Sequence, residues 1–347
     1  MIRQTIKVLA FGTLVFTVEL AARAETAPPQ FTVRTVPLAG EGRWDYAIVG
    51  SQPHLLYITR QTHVQVFDVE KDKLVADIKN TAGVHGVALA PELNRGFASD
   101  GQAGQVTIFD LKSNAILGTV KAGQNPDAVL YDPASHKVFA FNGRSNDATI
   151  FDASADPGAA PKTTTLALDG KPEFAATDSK GHVYVNLEDK SEVLEIDSQQ
   201  MKVTQRWKLE GGEEPSGLAF DVAGHHLFAG CGNQKMVIVD TTTGKTIGTA
   251  PIGDGVDACD FDPETKLAFA SCGDGTLSVI AETTPGHFHR VQTVKTRPGA
   301  RTMALDPATH TIYLVAAETV PGQGGGRSTP KPGSFMLVIV KPAAGSR

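Results

Sequence analysis

Short apolar runs rich in Val, Ile, Phe and Tyr alternate with polar turns along most of the chain after residue 30. Runs of this kind, bounded by Gly, Pro, Asn and Asp, are typical of β-strands joined by tight turns. The third run of successive groups ends at Asp68, Asp110, Asp152, Asp197 and Asp240, with spacings of 42, 42, 45 and 43 residues. The pattern therefore predicts an all-β chain built from a repeated unit of four strands.

The first strand of each repeat, which we expect to be innermost, carries two columns of equivalent positions. Its first side chains are Asp45, His85, Asp127, Glu173, Ser216, Asp257 and Arg301, and we number the repeats 1 to 7 in this order. Five residues later stand Gly50, Ala90, Asp132, Asp178, Asp221, Asp262 and Asp306. The later column is nearly uniform and suits turns, in which Asp bonds its own backbone. The early column is chemically mixed, and we expect the function there.

Four strands in every ~40–45 residues are typical of a β-propeller blade. Each blade has an apolar face that it cannot bury alone, so neighbouring blades must stack. The copies predict a seven-bladed β-propeller of four-stranded blades. Repeat 7 has no fourth strand after residues 335–340, and we expect the N-terminal strand, residues 31–36, to complete this last blade. A β-solenoid with free ends is the alternative.

A second recurring phrase follows the inner strand. It reads Tyr57-Ile58-Thr59-Arg60 in repeat 1, Phe97-Ala98-Ser99-Asp100 in repeat 2 and Tyr184-Val185-Asn186-Leu187 in repeat 4. This phrase resembles the YVTN repeat, and over roughly residues 31–342 the chain resembles the YncE-like family of exported bacterial propellers. The resemblance implies the propeller fold but no single activity, because related propellers include lactonases, cytochrome-type enzymes and simple binding proteins.

The first 24 residues have the features of a secretory signal peptide. Arg3 and Lys7 precede an apolar run over residues 8–18, and Ala22-Arg23-Ala24 supplies a small-x-small cleavage site. The apolar run is shorter than the ~20 residues of a membrane-spanning helix. We expect a periplasmic or secreted protein with no membrane span after cleavage, and a retained N-terminal anchor is the alternative.

Residues 25–347 are expected to form a single propeller domain. Loss of residues 1–24 removes three cationic side chains and one anionic side chain, which changes the formal net charge from −6 to −8. An acidic chain without a basic run argues against nucleic-acid binding. Cys231, Cys259 and Cys272 allow at most one disulfide, and we interpret each as a buried thiol. The sequence has no Cys-x-x-Cys-His haem motif and no nucleotide-binding loop.

If the repeats close into a ring, the early column and the surrounding loops meet at one mouth of the central channel, which we call the funnel. We predict ligand-binding residues there: Arg43, Trp44, Asp45, Arg60, His63, Asp100, Asn125, Asn142, Arg144, Lys171, Asn186, Glu188, Glu214 and Asp257. The candidate catalytic residues are His85, Asp127, Glu173 and Arg301. Three of these, His85, Asp127 and Glu173, are also candidate ligands for a divalent metal ion.

Three interpretations of the funnel remain open. Carboxylates that converge on one axis repel one another unless a cation compensates them, which favours a metal or polar-ligand site. A carboxyl group with a raised pKa, or a histidine, suits acid–base catalysis, with Arg301 holding a substrate carboxylate or an oxyanion. The third interpretation is structural, with carboxylates capping backbone N–H groups and water filling the channel mouth.

We expect an acidic funnel, which indicates a protein that binds a polar small ligand, a metal ion or a partner such as another envelope protein. We also expect a monomer. The alternative is a small-molecule hydrolase, such as a lactonase, or a lyase that uses the same residues. The Gly/Pro-rich loop over residues 317–334 in repeat 7 emerges on the funnel face. It is either disordered or a lid over the funnel.

Export has a direct chemical test. Because signal peptidase cuts after the small-x-small motif, the mature chain should begin at Glu25. N-terminal sequencing and intact mass of the protein from the envelope fraction would check this. A mature chain that still begins at Met1 would instead indicate the retained anchor.

Overall fold

The computed structural model of the chain describes residues 30–51, 54–321 and 328–343. The predicted signal peptide, residues 1–24, lies outside the described residues. No helix within these ranges is long and apolar enough to cross a membrane.

Short strands joined by turns make up nearly all the regular structure of the described residues. The strands of repeats 1 and 2, with the N-terminal strand, are β1 (Phe31–Pro37), β2 (Ala47–Ser51), β3 (His54–Thr59), β4 (Gln61–Asp68), β5 (Lys73–Ala90), β6 (Arg95–Asp100), β7 (Gln105–Asp110) and β8 (Ile116–Lys121). Those of repeats 3 and 4 are β9 (Pro126–Asp132), β10 (Lys137–Asn142), β11 (Asp147–Asp152), β12 (Thr163–Ala167), β13 (Pro172–Thr177), β14 (His182–Leu187), β15 (Glu192–Asp197) and β16 (Lys202–Lys208).

The remaining repeats continue the pattern. Their strands are β17 (Pro215–Asp221), β18 (His226–Cys231), β19 (Lys235–Asp240), β20 (Lys245–Pro251), β21 (Val256–Asp262), β22 (Leu267–Cys272), β23 (Thr276–Thr284), β24 (His287–Lys295), β25 (Met303–Asp306), β26 (Thr311–Ala316), β27 (Thr319–Val320), β28 (Thr329–Pro330) and β29 (Met336–Pro342). Three 3₁₀ helices cover Pro91–Leu93, Pro157–Ala159 and Glu188–Lys190.

The strands form antiparallel sheets that follow the repeats. Repeats 3 to 6 each form one four-stranded sheet of consecutive strands, β9–β12, β13–β16, β17–β20 and β21–β24. Strands β2 to β8 form one seven-stranded sheet, because the long β5 pairs with β4 through its first half and with β6 through Val84–Ala90. The predicted all-β class and the propeller layout are confirmed.

The last large sheet joins the two ends of the chain. Its strand order is β1-β29-β26-β25, and β1 pairs with β29 from Phe31 opposite Pro342 to Pro37 opposite Met336. An N-terminal strand thus supplies the outer edge of repeat 7. This pairing covers the edge of β29 that would otherwise be free, and it attaches the segment that precedes repeat 1 to repeat 7.

Neighbouring sheets stack through apolar side chains. Phe97 and Ile108 of repeat 2 pack in one cluster with Tyr131, Val138 and Phe151 of repeat 3. The Phe97 and Phe151 rings meet edge to face at 6.1 Å between centroids. Full burial of such a side chain contributes ~1.5–3 kcal/mol to the free energy of unfolding. Contacts of this kind therefore stabilise both of the repeats that they join.

The inner strands approach one another closely near the axis. A Cβ atom at Gly217 would lie 2.5 Å from the backbone nitrogen of Cys259 in the next repeat. No side chain fits there, so a glycine allows β17 and β21 to converge. Cys259, like Cys231 and Cys272, is a buried free thiol, and burial raises the pKa of Cys231 and Cys272 to about 12.

The later aspartate column does more than close turns. Asp132 is fully buried, and its Oδ2 accepts hydrogen bonds from the hydroxyls of Ser135 and Ser198, each at 2.7 Å. Its Oδ1 accepts a third bond, of 2.7 Å, from the Thr177 hydroxyl. Ser135 belongs to the predicted turn, whereas Thr177 and Ser198 belong to repeat 4. Asp132 therefore ties repeat 3 to repeat 4.

The same role recurs farther round the ring. Asp262 of repeat 6 bonds the His310 Nδ1 of repeat 7 at 2.6 Å, and Asp306 of repeat 7 bonds the His54 Nε2 of repeat 1 at 2.9 Å. These bonds lie at the face opposite the funnel, since the aspartates end the inner strands. They reinforce the stacking of the sheets.

Asp132→Ala should destabilise the protein by about 3 kcal/mol, because it leaves buried hydroxyl donors of two repeats without an acceptor. Asp240→Ala is the matched control, since Asp240 bonds only Thr242 and Thr243 of its own turn. That control should lose no more than about 1 kcal/mol. Urea unfolding measures both, and equal losses would contradict the tie between repeats.

Candidate functional site

The first side chains of all seven inner strands line one cavity. Its volume is about 820 Å³, and its lining includes Asp45, His85, Asp127, Glu173, Ser216, Asp257 and Arg301. These residues lie within two residues of the start of their inner strands, which in repeat 2 is the second half of β5, so the cavity occupies the predicted funnel. A cavity of ~300–1,000 Å³ suits a small molecule.

A polar side chain of the neighbouring repeat holds the backbone at six of these positions, and at Asp257 it is the Ser216 hydroxyl, at 3.3 Å from the carbonyl oxygen. In four repeats it is the third residue of the YVTN-like phrase, and it donates a hydrogen bond to the carbonyl oxygen of the funnel residue. The pairs are Thr59 with His85, Ser99 with Asp127, Asn186 with Ser216 and Ser271 with Arg301. Thr302 donates to the Asp45 carbonyl at 2.8 Å and completes the set. The phrase thus positions the site of the next repeat.

One imidazole lies between two carboxylates. His85 Nδ1 donates to Asp45 Oδ2 at 2.7 Å, and Asp127 Oδ1 lies 3.6 Å from the same nitrogen. Burial alone would lower the pKa of His85, but the hydrogen bond to Asp45 and the charges of Asp127, Asp45 and Glu173 raise it to about 9. His85 is therefore protonated at neutral pH. Burial raises the pKa of Asp127 to about 6, against the opposing charge of His85.

A lysine bridges two carboxylates in repeat 4. Lys171 Nζ lies 2.7 Å from Glu173 Oε1 and also hydrogen-bonds Glu188. Burial opposes the ammonium charge, but these two hydrogen bonds raise the pKa of Lys171 overall. Burial and the charge of Asp127 raise the pKa of Glu173, while Lys171 lowers it. Glu173 therefore has its own cation and does not join the His85 cluster.

An arginine pairs with the carboxylate of repeat 6. Arg301 Nε lies 3.2 Å from Asp257 Oδ2, and the Ser216 hydroxyl donates to Asp257 Oδ1 at 3.1 Å. Burial raises the pKa of Asp257, and the charge of Arg301 opposes that rise. Ser216 thus serves as a hydrogen-bond donor to Asp257.

The predicted acidic character of the funnel needs correction. Five carboxylates line it, but so do four Lys or Arg side chains and the protonated His85. The basic side chains are Arg43, Arg144, Lys171 and Arg301. The funnel therefore presents charges of both signs, mostly in pairs, and can bind polar groups of either sign.

Tyr46 lines the funnel, and the sequence analysis did not identify it. Its side chain is 6% exposed, and its ring meets Phe174 of repeat 4 edge to face, with 5.1 Å between centroids. Burial and four surrounding carboxylates raise the pKa of Tyr46 well above its usual value, so the hydroxyl stays neutral. In a sequence, an aromatic residue beside the start of a strand is normally assigned to the hydrophobic core. Tyr46 was therefore not predicted as a funnel residue.

The predicted loop residues at the rim are mostly in place. Arg43, Trp44, Asn125, Arg144 and Glu188 all line the funnel. Trp44 also packs against Phe335, with 5.6 Å between ring centroids, so it both supports the rim and faces the cavity.

The described part of the long loop in repeat 7 lies at this rim. Strands β27 and β28 pair with each other, and Thr319, Ser328 and Pro330 line the funnel. Arg43 Nη2 donates to the Ser328 carbonyl at 2.9 Å. The base of the loop is thus a short hairpin beside the mouth, while residues 322–327 lie outside the described residues.

Three predicted ligand residues point into the sheets instead. Arg60, Asp100 and Asn142 are fully buried and do not belong to the lining of the funnel. Each hydrogen-bonds a side chain five residues onward, which are Gln65, Gln105 and Asp147, respectively. Burial raises the pKa of Asp100 to about 6. The fourth position of the phrase thus braces the turn between the second and third strands.

Three further predicted residues also lie outside the lining. Asn186 is fully buried because it bonds the backbone of repeat 5. His63 lies 3.8 Å from Asp77 of the outer strand, and burial lowers its pKa. Glu214 is exposed on its loop and does not line the funnel.

Comparisons with known proteins bear on the fold. No protein-family model and no curated protein sequence matches the chain. Among solved structures, a chain from one titled "Crystal Structure of Mitotic Checkpoint Complex" superposes with a TM-score of 0.72 at 16% identity. The match covers 94% of this chain and 98% of that one. This likeness shows a shared fold, in agreement with the propeller layout of the sheets.

Asp45→Asn should lower the pKa of His85 by at least about 1, because it removes a carboxylate charge bonded to Nδ1. NMR titration of the His85 ring protons in chelator-treated protein measures this change from about 9. The matched control is Asp178→Asn, since Asp178 pairs with His182 at the same 2.7 Å outside the funnel lining. An unchanged His85 pKa in the Asp45 variant would contradict the described pairing.

Proposed function

We propose that this chain is an exported β-propeller that binds a polar small molecule in the funnel. One observation supports this above the others. Seven side chains of five different types, one from each repeat, converge on a single cavity of small-molecule size. A structural need shared by all repeats would select one residue type, as in the aspartate column that ties the repeats together.

The proposal includes seven four-stranded blades of the YncE-like kind. The seven-stranded sheet is then two blades that share the long strand β5, whose halves belong to repeats 1 and 2. The sheet that contains β1 and β29 is the last blade, completed by the N-terminal strand. The YVTN-like phrase supports this assignment, because its third residue links successive repeats.

Export to the periplasm or the medium follows from the basic, apolar and small-x-small order of residues 1–24. The partner is then a small polar molecule of the envelope or another envelope protein at the rim. We propose a monomer, since β1 and β29 close the ring within one chain.

A second function, hydrolysis or lyase chemistry, is favoured by one feature. Asp127 has a pKa raised to about 6, so at neutral pH it exchanges protons readily beside the imidazolium of His85. Arg301 stands in the same cavity and suits a substrate carboxylate. Lactone opening would use these groups together with Glu173.

The ligand can be sought in protein isolated from its own envelope fraction. Native mass spectrometry should show a bound molecule of low mass in the wild type. The Asp127→Asn and Arg301→Gln variants should lose at least about 90% of it, because each removes a charged group of the funnel. Asp127→Asn keeps the side-chain size, and the shorter Gln replaces an Arg301 side chain that is half-exposed, so melting temperatures should stay within a few degrees.

Glu214→Gln is the control, since Glu214 is charged and outside the lining. A wild type without any bound molecule, or variants that retain it fully, would contradict the binding proposal. Conversion of a lactone panel by the wild type, lost in Asp127→Asn, would instead identify the enzyme.

A further inference from the structure

The charged groups of the funnel are not equivalent. Asp257 has Arg301 as its ion-pair partner, and Glu173 has Lys171. Asp45 and Asp127 instead share a single imidazole, with no Lys or Arg within ion-pair distance of either among the described residues. One imidazole nitrogen thus faces two carboxylates.

The shape of this group fits a metal ion. One ligand atom each of Asp45, His85 and Asp127 lies within 4.8 Å of the others. Around a metal with bonds of ~2.0–2.2 Å, ligand atoms lie ~3.0–3.5 Å apart. The two distances from His85 Nδ1 to the carboxylates, 2.7 and 3.6 Å, fall on either side of that range. Small side-chain rotations would therefore bring all three atoms to coordination distance.

The ring of His85 is held with Nδ1 toward the carboxylates. A Cβ atom at Gly101 would lie 2.7 Å from both the Nε2 and Cδ2 atoms of this ring, so the opposite edge packs against glycine backbone. Thr59 bonds the His85 carbonyl, and Ser99 bonds that of Asp127. Backbone and ring are therefore positioned before any ligand binds, as metal sites require.

A second, independent feature points to a ligand at this place. The Tyr46 side chain is more than nine-tenths buried and lines the same cavity, and no group within the described ranges hydrogen-bonds its hydroxyl. The hydroxyl oxygen itself is open to the cavity, where it can bond a ligand or water. Burial and the charges of Asp257, Asp127, Asp45 and Glu173 raise the pKa of Tyr46, so its hydroxyl lies among the funnel carboxylates, two of which belong to this cluster.

We propose that Asp45, His85 and Asp127 bind one divalent first-row transition-metal ion, with the Tyr46 hydroxyl facing its open positions. The proposal deepens the proposed function, since the ion would bind at the floor of the same funnel. The metal takes the place of the Nδ1 proton, so two positive charges replace one opposite two carboxylates. Oxygen atoms of the polar molecule would then complete the coordination.

The donor atoms select the kind of ion. One imidazole nitrogen and two carboxylates suit Mn²⁺, Fe²⁺, Co²⁺ or Zn²⁺. Ca²⁺ prefers six to eight oxygen ligands and is the expected weak binder. This set also differs from the one predicted from sequence, because Asp45 replaces Glu173.

The test titrates Zn²⁺, Mn²⁺ and Ca²⁺ separately into chelator-treated, full-length mature protein by calorimetry. We expect one Zn²⁺ or Mn²⁺ per chain, and binding at least about tenfold weaker in His85→Ala and Asp127→Asn. Gly101→Ala keeps all three ligands but displaces the His85 ring, and it should also weaken binding. Co²⁺ absorption spectra report whether a nitrogen ligand is present.

The control is His182→Ala, which removes a histidine paired with one aspartate at 2.7 Å outside the funnel. Its affinity should equal that of the wild type. No stoichiometric binding, or equal affinity in the His85 and Asp127 variants, would overturn the proposal. Circular dichroism checks that each variant is folded. If His85→Ala or Asp127→Asn does not fold, the affinity of Gly101→Ala decides the outcome. Because no organic ligand is added, a null result here leaves the search for a bound molecule unaffected.

Discussion

The pairing of β1 with β29 is the constraint on which the funnel depends. Each inner strand contributes one side chain, and these side chains meet only if the first and last repeats are neighbours. Thr302 of repeat 7 bonds the Asp45 carbonyl of repeat 1, so the closing contact also positions a funnel residue. Fold and site are thus inseparable, because segments more than 250 residues apart in sequence must meet to form either.

A repeated scaffold here carries a site that is not repeated. The third residue of the phrase in four repeats and the turn aspartate in three repeats link neighbouring repeats at the two ends of the inner strands. Between these links the first inner-strand position is free to vary. Ligand contacts at this position can therefore change without loss of the stacking between repeats. This explains why the first side chains of the inner strands are chemically diverse.

The fold could be predicted because strand periodicity and turn residues are local signals, and seven copies reinforce one another. The topology alone also predicted that the seven side chains of the early column meet at one place. The direction of the loop side chains could not be predicted, because adjacent strand residues face opposite sides and a loop boundary shifted by one residue reverses them. Arg60, Asp100 and Asn142 therefore looked like rim residues but brace turns. Pairing of cations with carboxylates was also hidden, since Lys171 and Glu188, like Arg301 and Asp257, come from different segments of the chain.

The geometry of the closing pair has a mechanical consequence. Phe31 begins β1 and lies opposite Pro342, the last residue of β29, so both chain ends leave from the same end of this antiparallel pair. A force that pulls those ends apart would load the hydrogen bonds one after another and peel β1 away, instead of shearing all of them together. The pairing that closes the ring therefore resists such tension one hydrogen bond at a time, and a tether is better attached at only one of these two ends.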